Sequence, residues 1–184
     1  DCATLPGCAE PKTREDAMAE DGSLMQGKRG LVMGVANDRS IAWGIAKQLH
    51  QQGARLGLTY QGDALHKRVK PLADQVEAEI FTPCDVADDA SIDATFEHVR
   101  EVWGGLDFLV HGIAYADRNE LKDTYVRTSR EGFLRSLEIS CYSFTAVAQR
   151  ARHLMPEGGS MLTLTYYGAE RVMPHYNVMG VAKA

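Results

Sequence analysis

Apolar residues follow two alternating patterns along the chain. Short apolar runs, bounded by charge, glycine or turn residues, suit strands buried on both faces of a parallel sheet. Five such runs occur: Arg29–Gly34, Arg55–Tyr60, Glu79–Cys84, Asp107–His111 and Gly159–Tyr166, the third interrupted by Pro83. Between them, apolar residues recur every three or four positions, as on a helix with one buried face. Ile41, Ile45, Ala46 and Leu49 mark a helix that Ser40 can cap and Gly53 stops. A second helix runs from about Asp63 to Val76 and is bent or divided at Pro71. Ile92, Phe96, Val99 and Val102–Trp103 share one side of a third, opened by Asp89 and ended by Gly104-Gly105. After a polar loop, Phe133, Leu137, Cys141, Phe144, Ala148 and Ala151 trace a stripe on a long helix from about Thr128 to Met155. The final residues, Val181 to Ala184, stand within a further helix.

Strands alternating with helices of this length make βαβ units with right-handed crossovers. The fold class is therefore α/β, a Rossmann-type doubly wound parallel sheet. Ligands of such sheets bind beyond the carboxyl ends of the strands, so chemistry is sought just after each strand. Residues 1–26 are polar, contain Pro6 and Pro11 and show no periodic face, which predicts a flexible N-terminal tail. Met18 begins a conventional protein start, so residues 1–17 are expected to be an upstream extension, which peptides from 1–17 in the natural protein would exclude.

Composition narrows the class. A length of 184 residues suits one domain, and 45% hydrophobic with 24% charged residues excludes a disordered or low-complexity chain. The net charge of −5 argues against nucleic acid as a partner, since no basic excess is present to face phosphates. Cys2, Cys8, Cys84 and Cys141 are too scattered for a disulfide framework and have no metal-ligand spacing. His50, His66, His98, His111, His153 and His175 form no metal motif and read as surface or internally satisfied histidines. No apolar run is long enough to span a membrane, and no signal-peptide layout opens the chain. A reducing cytoplasm is the expected compartment, with no metal and no membrane partner.

The strand ends carry the candidate chemistry. After the first strand, Gly34 permits a tight turn, and the following helix N-terminus offers N–H groups to a pyrophosphate. Gly44, one turn into that helix, would allow close helix–strand packing; a turn without ligand is the rival reading. Gln61 ends the second strand where a carboxylate would select NAD and a basic residue NADP, so it decides neither, while Arg39 could favour a phosphate. Asp85-Val86 comes after the third strand, placing a carboxylate for an adenine amino group or, equally, for a turn or cap. Gly112, after the fourth, lets backbone approach a ligand. Beyond the fifth lie Tyr176 and Lys183, seven residues apart and so on one helical face. There the lysine is expected to lower the phenol pKa and to grip ribose hydroxyls, an arrangement suited to hydride-transfer chemistry.

In order, the chain carries Gly34-x5-Ser40-Ile41-Ala42-x-Gly44, Tyr60-Gln61, Cys84-Asp85-Val86, His111-x-Ile113, Leu162–Tyr166, Gly168-Ala-Glu-Arg and Tyr176-x6-Lys183-Ala184. Together these resemble bacterial enoyl-acyl-carrier-protein reductase, a divergent short-chain dehydrogenase/reductase family of type II fatty-acid synthesis. The likeness runs from about Gly27 to the last residue, and the Tyr-x6-Lys spacing is specific, because most of the superfamily has Tyr-x3-Lys. It implies that Gly34, Ser40 and Ile41 hold the pyrophosphate side of NADH, with NADPH left open. Gln61 would lie near the adenosine ribose, Asp85 and Val86 around adenine, and Ile113 along the nicotinamide half. Ala116 would contribute to the substrate pocket. Tyr166 and Tyr176 would be the active-site tyrosines, and Lys183 would bind the nicotinamide ribose. The implied reaction delivers hydride to C3 of a trans-2-enoyl thioester on acyl carrier protein, with the Tyr176 hydroxyl stabilising the thioester oxyanion. A homotetramer is implied for full-length members. Those members continue past Lys183, so residues 27–184 are expected to be an incomplete NAD(P)-binding Rossmann domain lacking C-terminal strands. The alternatives are an inactive partial unit that at most binds nucleotide, or another short-chain dehydrogenase. Ketoacyl reductases carry an active-site Ser where this chain has Thr165-Tyr166.

Overall fold

Each of the five apolar runs forms a strand of one parallel sheet. The computed structural model describes residues 24–184; the segment 1–23, with most of the expected tail, the Met18 start, Cys2 and Cys8, lies outside the described residues. Strands β1 (Arg29–Met33), β2 (Arg55–Tyr60), β3 (Ile80–Pro83), β4 (Phe108–His111) and β5 (Ser160–Thr163) form one sheet in the order β3-β2-β1-β4-β5. All four pairings are parallel. Pro83 is tolerated because β3 is an edge strand and Pro83 its last residue. Residues Met25 and Gly27 hydrogen-bond Gln52 O (2.9 Å) and Gly53 O (3.0 Å), so the end of the expected tail docks on the fold.

Side chains of β1 alternate between two cores. Leu31 and Met33 pack with Ile92, Phe96 and Val99 of α3 (Asp89–Trp103) and with Ala146 and Val147 of α5 (Ser143–Ala151). Val32 packs on the other face with Trp43 and Ala46 of α1 (Ile41–Gln51) and Val69 and Leu72 of α2 (Gly62–Gln75). Helices thus cover both faces, the doubly wound arrangement. α4 (Arg130–Leu137) precedes α5, and α6 (Asn177–Lys183) closes the described chain with Val178, Met179 and Ala182 buried.

Several details differ from expectation. α1 buries Ala42, Trp43 and Ala46 and leaves Ile41 exposed, because its contact face is centred on the tryptophan. Pro71 sits inside an undivided α2. The single long helix is interrupted by a π-turn, Glu138–Tyr142, in which Ser143 N–H bonds back to Glu138 O. The extra residue shifts the helical phase from that turn onward, so Cys141 is exposed while Ser143, Ala146 and Val147 turn inward. The Ser143 hydroxyl donates to Ile139 O at 2.6 Å. The fifth strand is shorter than its apolar run, with Leu162 exposed.

Candidate active site

β1 and β4 lie side by side, yet the chain leaves them toward opposite edges of the sheet. Their C-terminal ends therefore open the crevice where doubly wound sheets bind ligands. Gly34 has φ +94°, and a Cβ there would fall 2.2 Å from Gly112 O, so the two loops meet backbone to backbone. Gly112 N–H donates to Met33 O at 2.9 Å, and a Cβ on Gly112 would crowd Ala42 Cβ at 3.0 Å. Gly44, in contrast, faces open space, so the close packing expected of it is supplied by Gly112 against Ala42.

Ser40 occupies the cap position of α1 but gives the helix no side-chain cap. Its hydroxyl instead accepts Ala36 N–H (3.0 Å) and Asn37 N–H (2.9 Å) and donates to Asn37 O (2.6 Å). The loop is tied, and the first N–H groups of α1 remain available to an anion.

A cleft of about 350 Å³ extends from this loop over β2 and β3, lined by Gln61, Asp85, Val86, Ile113 and Ile139. Asp85 combines its two alternative readings. Its Oδ1 accepts Ala87 N–H (3.0 Å) as a turn residue, while Oδ2 accepts the Gln61 amide (3.1 Å) at the cleft wall. The helix cap is Asp88, which accepts Ala90 N–H. Arg39 lines neither this cleft nor its neighbour. Ala114 and Tyr115 line the wall, whereas Ala116 lies outside both hollows. Tyr115 is held by buried Ser140 of the π-turn, which accepts its N–H (2.8 Å) and donates to its carbonyl (2.9 Å). Sequence reading passed over Ile139 and Ser140, because their facing depends on the inserted π-turn residue.

A second hollow, about 260 Å³, adjoins the first at Gly34, Gly112 and Ile113 and brings together Ser40, Ile41, Tyr166, Tyr176 and Lys183. The Tyr166 and Tyr176 rings stand 4.5 Å apart at 51°. Lys183 Nζ donates to Ile113 O at 3.0 Å, and its carbonyl accepts the Thr165 hydroxyl at 2.6 Å. Two expectations for this pair are corrected. Tyr176 caps α6 rather than lying within it, so the pair meets across a hollow and not along one helical face. Burial, then the neighbouring Tyr166, pushes the Tyr176 phenol up, not down. Burial likewise pushes the Lys183 ammonium below its ordinary range.

Beneath the hollow, fully buried His111 contacts Ser143 Oγ through Nε2 (2.8 Å) and Thr163 Oγ1 through Nδ1 (3.0 Å). Burial, then the positive charge of Lys183, lowers its pKa to about 4, so it is a neutral internal strut. Among the described residues no group of three or more His, Cys, Asp or Glu could hold a metal ion. None of their helices is long and apolar enough to cross a membrane. The groove does suit a dinucleotide. It has a glycine cradle that a Cβ would fill, an open helix N-terminus, a polar pair at one end and a lysine at the other.

Comparison with known proteins agrees with that chemistry. The family model described as enoyl-(acyl carrier protein) reductase matches residues 34–184. A Rhizobium meliloti protein, enoyl-[acyl-carrier-protein] reductase [NADH] 1, is 62% identical over 167 residues, covering 91% of this chain and 61% of its own length. The crystal structure of the Anaplasma phagocytophilum reductase in complex with NAD superposes with a TM-score of 0.86 at 56% identity, covering 88% of this chain and 62% of that one. The Bacillus cereus enoyl-acyl carrier protein reductase with NADP+ and indole naphthyridinone gives 0.85 at 52% identity, covering 88% and 63%. The chain thus spans about three fifths of the length of these relatives.

Proposed function

The chain belongs to the enoyl-acyl-carrier-protein reductase family, and on that footing we propose that the protein carrying it reduces trans-2-enoyl thioesters of an acyl carrier protein, using NADH. The observation that supports this most is the meeting of Tyr166, Tyr176 and Lys183 in one hollow that continues into the groove across the β1–β4 switch point. When bound, reduced nicotinamide supplies the hydride that adds to C3 of the substrate. The loop tied by Ser40, together with the N-terminus of α1, would hold the pyrophosphate, and Gln61, Asp85 and Val86 the adenosine half. Ile113 lines both hollows, and Lys183, anchored on its carbonyl, would bind the ribose hydroxyls of the nicotinamide half.

Tyr176 is the candidate donor to the thioester oxygen, where negative charge collects as hydride adds to C3. A phenol pushed above its ordinary range stays protonated at neutral pH, so it enters as a hydroxyl able to donate. Tyr166 packs against its ring and covers one side of it. The low pKa of Lys183 reflects burial beside this hollow, where its charge acts in a poorly screened setting. Such chemistry suits a cytoplasmic enzyme, and the family resemblance implies a homotetramer for the full-length protein.

The test is NADH oxidation with crotonyl thioester in a chain extended to family length. Tyr176→Phe should lower turnover by a factor of about a hundred while leaving NADH affinity within about twofold. Lys183→Ala should weaken NADH binding. Unchanged turnover in Tyr176→Phe would remove Tyr176 from this role.

A further inference from the structure

Tyr176 stands between two non-glycine residues in the left-handed backbone region, His175 (φ 58°) and Asn177 (φ 35°). Side-chain-bearing residues adopt that region only where their surroundings over-determine it, and asparagine is among the most tolerant. What holds Asn177 is visible. Its Nδ2 donates to Glu120 O (3.2 Å) and to Asp123 O (2.5 Å), spending both amide protons on one segment. That segment is the strap from 117 to 129 between β4 and α4, built of two short 3-10 turns, Arg118–Leu121 and Tyr125–Arg127.

The strap is itself secured. The Glu120 carboxylate accepts the Ser129 N–H (2.9 Å) and hydroxyl (2.6 Å) at the start of α4. It lies where a Cβ on Gly132 would be, 2.4 Å away, so glycine there makes room for it. Asp117 caps the first turn through Asn119 N–H (2.7 Å). A continuous line of contacts thus runs from the N-terminus of α4 through Glu120 and Asn177 to the backbone of Tyr176. Asn177, Tyr125 and Tyr176 also line a hollow of about 470 Å³.

We propose that Asn177 is a positioning residue for Tyr176, its two-carbonyl tether to the strap fixing the direction in which the phenol points. The proposal deepens the assignment of Tyr176 as hydroxyl donor and rests on it. Asparagine suits the task because it accepts the positive φ and presents two donors on a short side chain. Glycine would keep the backbone and lose the tether. Aspartate would keep the shape but set carboxylate oxygens against two carbonyls.

The test compares Asn177→Gly and Asn177→Asp with the unaltered chain, tracking the ring resonance of Tyr176 (assigned through Tyr176→Phe), its titration, and amide exchange along the chain. Both variants should shift that resonance, move its titration toward ordinary tyrosine, and speed exchange of the 120–124 amides about tenfold. NADH affinity should stay within about twofold in each. An unmoved Tyr176 resonance and titration in both variants would overturn the proposal. So would exchange accelerated evenly over the sheet, which marks a general loss of stability. Failure of the unaltered chain to bind NADH would count against the proposed cofactor, while the tyrosine and exchange readouts would still decide the role of Asn177.

Discussion

Acidification should weaken this fold through one residue. His111 is fully buried, and its ring nitrogens meet only the hydroxyls of Ser143 and Thr163. The Ser143 proton is committed to Ile139 O at 2.6 Å, so Ser143 Oγ receives Nε2–H and Nδ1 is the acceptor of the Thr163 proton. Thr163 can turn that proton to His111 O at 3.3 Å, so hydrogen bonding does not bar a charged ring. The barrier is burial, reinforced by Lys183, which together take the pKa from 6.5 to about 4. The unfolded chain therefore binds this proton from near pH 6.5 downward, and the folded chain only near pH 4. Between those values the unfolded state holds more protons, so stability falls as pH falls, by about 1.4 kcal/mol per pH unit. The loss reaches about 2 kcal/mol at pH 5 and about 3 kcal/mol at pH 4, and levels off only below that. Glu79, whose carboxyl is held below its ordinary 4.5 chiefly by the Arg55 guanidinium, contributes only below that value. Urea unfolding monitored by circular dichroism at pH 7.5, 6 and 5 would measure the slope. His111→Asn should start less stable but lose about 2 kcal/mol less over the interval. Equal slopes in the two proteins would refute the reasoning.

Further expectations come from the same geometry. Gly34→Ala should lower the melting temperature and abolish dinucleotide binding, since it imposes φ +94° on a side-chain-bearing residue and drives Cβ into Gly112 O. Gly44→Ala meets open space on a helix, so calorimetry should show a gain of about 0.5–1 kcal/mol with binding retained. Peptide-resolved iodoacetamide labelling of the folded chain should modify exposed Cys141 at least about tenfold faster than Cys84, whose thiol is pushed up by burial.

The order of strands and helices was legible because side-chain periodicity reports which face of an element is buried, and the sheet needs little else. Every apolar run became a strand in its expected place, and the parallel pairing comes from the crossovers between them. What periodicity could not show is a change of phase inside one element. The stripe from Phe133 to Ala151 assumes a constant turn, and the residue inserted by the π-turn breaks that assumption at Glu138–Tyr142. Cys141 moves outward for that reason, and Ile139, Ser140 and Ser143 move inward. Pro71 shows the converse: a residue that usually breaks helices stays inside α2 because tertiary packing of Val69, Leu72 and Ala73 holds both sides of it.

For the candidate site, sequence reading drew Gly34, Gln61 and Asp85 from the rule that chemistry gathers at strand ends, and Ser40, Val86 and Ile113 from the family resemblance; all of them line the groove. It misjudged what some of them do, because a side chain near a helix start has more than one backbone to serve. Ser40 ties its own loop instead of capping α1, which leaves the helix end free for an anion. The tyrosine–lysine pair was misread in a more instructive way. Seven residues place two side chains on one face only if every residue between them is helical, and the positive φ of Asn177 breaks that premise at the first step. Tyr176 is thereby set apart from α6, against Tyr166, while Lys183 reaches back to Ile113 O. Burial then works on both groups in the direction that favours the neutral form. A phenol depressed by a nearby ammonium would lean toward phenolate, which can only accept. A phenol raised by burial keeps its proton through the neutral range, and a hydroxyl in that state can donate to an oxygen that gains negative charge as hydride arrives.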